Sequence, residues 1–193
     1  LTGKAGPYEI GALGITTGLI LETKNPNELK GVIAHETGHI QGGHPFRSNE
    51  MNQAGMRPFL LTMGLGVLAA LAGSGEAAAV LVGNASYFGA LGAMGYSREQ
   101  EGRADQAAAS LLERTGQSGE GLVEFFDNFR YQEVFQEARR YAYFRSHPLS
   151  SDRIELLRSR VQSQPHYSAK DSADDLAEHG IMGAKLDGFL NPQ

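Results

Sequence analysis

His35-Glu36-Thr37-Gly38-His39 is the stretch on which the reading of this chain turns. On a helix, positions i and i+4 share a face. Two imidazoles one turn apart can then reach a single ion at bond lengths of about 2 Å, with the intervening glutamate beside its water. The spacing predicts His35 and His39 as zinc ligands and Glu36 as general base in metal-assisted peptide hydrolysis. The flanking residues predict the helix itself. Asn25 is placed as N-cap, Pro26 at the first helical position and Glu28 as the close of a capping box. Leu29, Val32, Ile33 and Ile40 recur at helical spacing, and Gly42-Gly43 supplies a stop. The bland alternative makes both histidines ordinary polar positions, and it needs the cap, the glutamate and a downstream partner to coincide by chance.

A catalytic zinc takes three protein ligands and keeps one position open. The segment Ser97-Arg98-Glu99-Gln100-Glu101-Gly102-Arg103-Ala104-Asp105 offers the third. Ser97 can cap a helix, and Ala104, Ala108, Leu111 and Leu112 continue an apolar stripe. Glu101 and Asp105 then share a face, Glu101 toward the metal and Asp105 behind it, accepting the free ring N–H of a ligating histidine. On spacing alone, a solvated acidic helix start explains these carboxylates equally well. Another zinc pattern puts a third histidine six residues after the second, beyond a glycine. Gly42 stands where that glycine belongs, but His44 comes one residue early, so Glu101 ranks above it.

With these motifs in place the chain resembles the gluzincin metallopeptidases that include HtpX, the CAAX prenyl endopeptidases and the periplasmic BepA-type proteases of outer-membrane quality control. The likeness extends to Thr17-Gly18-Leu19-Ile20, Asn27-Glu28-Leu29 and His147-Pro148-Leu149-Ser150-Ser151-Asp152-Arg153-Ile154. It implies one zinc ion on His35, His39 and Glu101, Glu36 as base, and His147 and Arg153 near the substrate side of the metal. His147-Pro148 leaves a long helical stretch at residues 122–145, and Ser150 or Ser151 caps the next helix. A loop there can aim His147 or Arg153 at a developing oxyanion. His147 can equally occupy the open zinc position as a self-inhibitory fourth ligand, and a capping histidine beside a surface arginine is the bland reading.

Residues 59–94 carry a single charge, Glu76, and divide at Gly73-Ser74-Gly75-Glu76 into two apolar pieces of about fifteen to twenty residues. An apolar helical hairpin is expected, used as a plug or membrane-leaning insert, as a membrane-spanning pair, or as core. The interruptions at Gly64, Gly66 and Gly73 favour the plug or membrane-leaning use over a true span.

The expected fold is mainly α, of the α+β zincin type. A small N-terminal β element at residues 8–21 comes first, suggested by Ile10, Ile15, Thr16 and Thr17, and an edge strand there would pair with extended substrate. The active-site helix, the hairpin, the Glu101 helix and further helices follow. Residues 1–162 form the peptidase domain; residues 163–193 read as a polar linker and a lead-in to helical repeats. Aromatic positions from Phe125 to Phe144 are assigned mostly to core, and His166 and His179 are read as non-ligands. The net charge of −5, from 17 basic and 22 acidic residues, argues against a nucleic-acid partner. Zero cysteines exclude disulfides and thiolate zinc sites. No secretory signal opens the sequence, which bears little on location. The resemblance implies misfolded or membrane-associated protein substrates, with a membrane surface or the envelope assembly machinery as further partners and a periplasmic or envelope location. A membrane-linked chaperone or binding module with its zinc site held shut is the competing reading.

Overall fold

The computed structural model describes residues 13–44, 47–130 and 147–190. Seven helices and no strands are found among them: α1 (Thr17–Glu22), α2 (Pro26–Gln41), α3 (Ser48–Leu71), α4 (Gly75–Arg114), α5 (Glu120–Arg130), α6 (Ser151–Gln162) and α7 (Ala173–Leu190). The mainly α expectation holds. Of the expected N-terminal β element at residues 8–21, residues 8–12 with Ile10 lie outside the described residues; in the described part no strand appears, and Thr17–Glu22 is helical. The side chain of Thr16 accepts the N–H of Leu19, so a β-branched residue that suggested a strand acts instead as a helix cap.

In α2, Asn25 Oδ1 accepts the Glu28 N–H at 2.8 Å, and Pro26 occupies the first turn. The Glu28 carboxylate does not close the box on Asn25. It reaches one residue further back, accepting the Lys24 N–H at 2.7 Å, and also meets Asn128. Burial first, then repulsion from Glu124, raises the Glu28 carboxyl above its usual range, and these outweigh the bonds from Lys24 and Asn128. Gly42 ends the helix, and Gly43 turns the chain with φ of 66°.

The described chain divides into two compact units, one of residues 1–42 and 102–193, the other of residues 43–101. In the first, α2 packs on α5 and α5 on α6. Helix α5 buries Leu122, Val123, Phe125, Phe126 and Phe129 and leaves Glu124 in water. Val32, Leu112, Ile154, Leu157 and Val161 complete this core, and each fully buried aromatic or branched side chain stabilises it by about 1.5–3 kcal/mol. The α2–α5 crossing is close because glycine permits it. A Cβ on Gly31 would lie 2.7 Å from the Cβ of Leu122 and 2.9 Å from its backbone. Asn27 ties the same crossing by donating to the Ser118 carbonyl and accepting from the Gly121 N–H. Helix α7 contacts α1 and α2, and Lys30 reaches Asp171 and Asp175.

The second unit holds α3 and the first part of α4, joined by a turn at Gly73, whose φ is 82°. The hairpin predicted at residues 59–94 is therefore present, with its turn at the predicted place. A separate helix starting at Ser97 is not: α4 is one helix of 40 residues that carries the apolar limb, Glu101 and Asp105. No glycine–proline breaker interrupts Tyr96-Ser97-Arg98, and Ser97 alone does not stop a helix already under way. Within the expected aromatic helix at 122–145, residues 131–145 lie outside the described residues, including Phe135, Tyr141 and Phe144.

Candidate metal centre

His35 and His39 project from one face of α2, as the i, i+4 spacing requires, and both are buried. Glu101 and Asp105 lie one turn apart on α4 and are also buried, at 3% and 2% exposure. The approach of α2 to this part of α4 depends on the glycine inside the motif. A Cβ on Gly38 would stand 2.8 Å from the carbonyl oxygen of Ala104. No larger residue lets the two backbones come so near without a shift.

One ligand atom each from His35, His39, Glu101 and His147 lies within 4.8 Å of all the others. Their chemistry fits zinc, which binds imidazole nitrogen and carboxylate oxygen in a tetrahedron. The Nε2 atoms of His35 and His39 are 3.0 Å apart, against the roughly 3.3 Å that separates two ligands at bond lengths of about 2 Å on one tetrahedral ion. The three rings meet edge to face, with His147 centred 5.4 Å from His35 and 5.0 Å from His39.

Asp105 lies behind His35, its Oδ1 2.9 Å from His35 Nδ1. A carboxylate at that position favours the tautomer protonated on Nδ1, with the Nε2 lone pair toward the group. The Arg153 guanidinium grips the same carboxylate with two bonds, from Nε to Oδ2 at 2.8 Å and from an Nη to Oδ1 at 2.9 Å. Its other Nη donates to the Pro148 carbonyl at 2.6 Å. Arg153 thus joins α4 to the loop that carries His147, and its own helix start is set by Ser150, whose Oγ accepts the Arg153 N–H. Glu36 is half-buried beside the group, with Oε1 3.4 Å from Nε2 of His147.

The sequence matches peptidase family M48 over residues 5–161. The chain belongs to that family. M48 is a family of zinc metallopeptidases, which agrees with the donor set above. The chain is 31% identical over 160 residues to the metalloprotease LoiP of Escherichia coli K12, and 29% identical over 154 residues to the metalloprotease YcaL of the same strain. Each of these alignments covers 79% of this chain and 56% of the relative. A putative beta-barrel assembly-enhancing protease of Vibrio cholerae is 29% identical over 160 residues, 80% of this chain and 32% of that protein. The chain therefore spans about half the length of the first two relatives and a third of the last. No solved structure matches it.

One further residue packs against the candidate site that the sequence did not single out for it. Phe126 packs edge-on against His35, with ring centroids 5.8 Å apart, and lies under the Arg153 guanidinium at 5.7 Å. It looked like any member of the α5 stripe, because packing against a ligand ring and packing into a core leave the same periodic signal. His44 is not in the four-residue group. His166 pairs with Glu113 and His179 with Thr23.

Proposed function

We propose that this chain is a zinc endopeptidase in which His35, His39 and Glu101 hold the metal and Glu36 is the general base. The convergence of four donor atoms within 4.8 Å, with the Glu36 carboxylate alongside, is the observation that carries this reading. Bound zinc supplies Lewis-acid activation of water and of the scissile carbonyl. The Glu36 carboxylate takes the proton of the attacking water and returns it to the leaving amine. Asp105 keeps the Nδ1 proton of His35 and so maintains the ring's orientation. Arg153, its donors committed to Asp105 and Pro148, acts as a positioning residue rather than as an oxyanion donor. His147 is the fourth donor of the resting site and yields its place when substrate enters.

The peptidase unit corresponds to residues 1–162, supported by a family match that ends at residue 161, and residues 163–193 form an extension to it. Protein substrates follow from the activity. A relative named for beta-barrel assembly supports misfolded or membrane-associated proteins of the cell envelope as the substrate class, and a periplasmic or envelope location.

Replacing Glu36 with Gln should leave zinc content at one ion per chain and abolish cleavage of an unfolded protein such as casein. A variant that still cuts removes Glu36 from the mechanism. A variant that cuts nothing yet keeps full function in cells supports a shut binding or chaperone module instead. His147→Ala, with zinc retained, should cleave faster than wild type if the fourth donor restrains the site. A fall of about 10²–10³ in kcat would make His147 an oxyanion donor.

A further inference from the structure

The hairpin of α3 and the first limb of α4 is packed inside out for a water-soluble protein. Its helices meet through their smallest residues. A Cβ on Gly92 would collide with the Ala54 carbonyl and the Pro58 ring, one on Gly66 would lie 2.7 Å from Val82, and Gly55 and Gly89 face each other's carbonyls. Ala85 is buried in the same seam, at 1% exposure. The large apolar side chains point the other way. Leu61, Leu65, Leu68, Leu71, Phe88 and Met94 are all exposed, with Leu71 at 80%. In water the driving force for helix pairing is burial of large apolar groups. In lipid that force vanishes, and close backbone approach through small residues replaces it.

The polar atoms of the hairpin follow the same logic. The Thr62 hydroxyl donates to the Pro58 carbonyl at 2.8 Å, and the Asn84 amide donates to the Val80 carbonyl at 2.7 Å. Each side chain satisfies itself on its own helix, as a hydrocarbon environment demands. Charge is confined to the two ends of the limbs. No Lys or Arg occurs between residues 58 and 97, Arg57 and Arg98 flank the stretch, and Glu76 sits at the turn. At 1.5 Å per residue the charge-free limb of residues 77–97 is about 30 Å long, the depth of a hydrocarbon layer, and that of residues 58–71 is about 20 Å, enough to enter the layer and about 10 Å short of crossing it. Both helices are long and apolar enough to cross a membrane by length and composition.

We propose that the outer face of this hairpin is covered by lipid acyl chains, its limbs inserted in a bilayer with the Gly73-Ser74-Gly75-Glu76 turn leading. The chain lacks cysteine, so one introduced cysteine carries one label. Leu61→Cys, Leu68→Cys and, as an exposed control on α6, Leu156→Cys are labelled with an environment-sensitive fluorophore in the full chain. Each is mixed with vesicles of phosphatidylcholine, with or without phosphatidylglycerol and with or without brominated acyl chains.

Positions 61 and 68 should shift to the blue and lose emission to the brominated chains in both vesicle types and in high salt, while position 156 stays unchanged. Leu65→Asp with Leu68→Asp should lower vesicle partitioning by about a hundredfold or more at unchanged helical circular dichroism. The proposal is overturned if labels 61 and 68 remain in water when vesicles are present. It is equally overturned by a blue shift that grows with protein concentration without lipid, which identifies a second copy as the cover. Binding seen only with phosphatidylglycerol and abolished by salt would mean headgroup adsorption and also overturn it.

Discussion

Asp105 and Arg153 form the most exposed-to-failure pair of single residues in the candidate site, because both are almost wholly buried and each satisfies the other. At 2% and 6% exposure, neither charge has water to fall back on. Removing one partner of such a pair costs about 3–5 kcal/mol, since the other stays buried and uncompensated. Arg153→Ala should therefore lower unfolding free energy by that amount in denaturant titration, and Arg153→Lys should not restore it, because an ammonium cannot make the two parallel bonds. Asp105→Asn should act differently. It keeps an acceptor near His35 Nδ1 but loses the charge, and weakens zinc affinity about 10–100-fold in a chelator competition. A variant with wild-type zinc affinity would reduce Asp105 to a structural partner of Arg153. At this scale much was legible. The i, i+4 spacings of His35 with His39 and of Glu101 with Asp105 put each pair on one helical face, whatever the surrounding fold. The Arg153–Asp105 clasp was not, because it joins positions 48 apart in sequence across a loop with no periodicity.

At the scale of elements, Gly38 governs the approach of the two helices that carry the donor atoms. A helix-interior glycine is worse than alanine by about 1 kcal/mol on propensity alone, so Gly38→Ala would stabilise an isolated α2. In the folded chain the added methyl meets the Ala104 carbonyl oxygen at 2.8 Å, a backbone atom that cannot rotate away. Overpacking of this kind costs about 1–3 kcal/mol. Gly38→Ala should thus lower the melting temperature and weaken zinc binding together, while Thr37→Ala, on the half-buried side of the same helix, leaves zinc binding intact. A Gly38→Ala protein that is more stable and binds zinc normally would show that the helices can separate at no cost. The start of α2 carries two signals that act as read, the Asn25 cap and Pro26 in the first turn, while Glu28 accepts from Lys24 rather than from Asn25. In the described part of the N-terminal run, Thr16 and Thr17 open a helix because threonine serves strands and N-caps alike, and Ser97 lies inside α4 because a cap residue without a breaker does not end the preceding helix.

At the scale of the whole chain, α7 is held by few buried groups. It has no buried residues, and its attachment to α2 leans on Lys30, which lies 3.2 Å from Asp171 and 2.7 Å from Asp175. The bond from Lys30, followed by that from Ser172, holds the Asp175 carboxyl below its ordinary 3.8. Burial pulls the Lys30 ammonium down, but the bonds to Asp175 and Asp171 together outweigh it and leave it above 10.5. The two shifts give opposite pH limits. A depressed carboxyl contributes stability present above pH 3.8 and lost as pH falls through its folded value; a raised ammonium contributes stability complete below pH 10.5 and lost as pH rises through its folded value. Between those limits the attachment is indifferent to pH, and because the groups are partly exposed it weakens with salt. Amide hydrogen exchange, corrected for intrinsic rates, should therefore show α7 opening at a constant rate through neutral pH, faster in high salt and faster in Lys30→Gln, while the amides of α2 are unaffected. Opening of α7 that is no faster in Lys30→Gln and in high salt would remove the Lys30 ion pairs as its tie to α2.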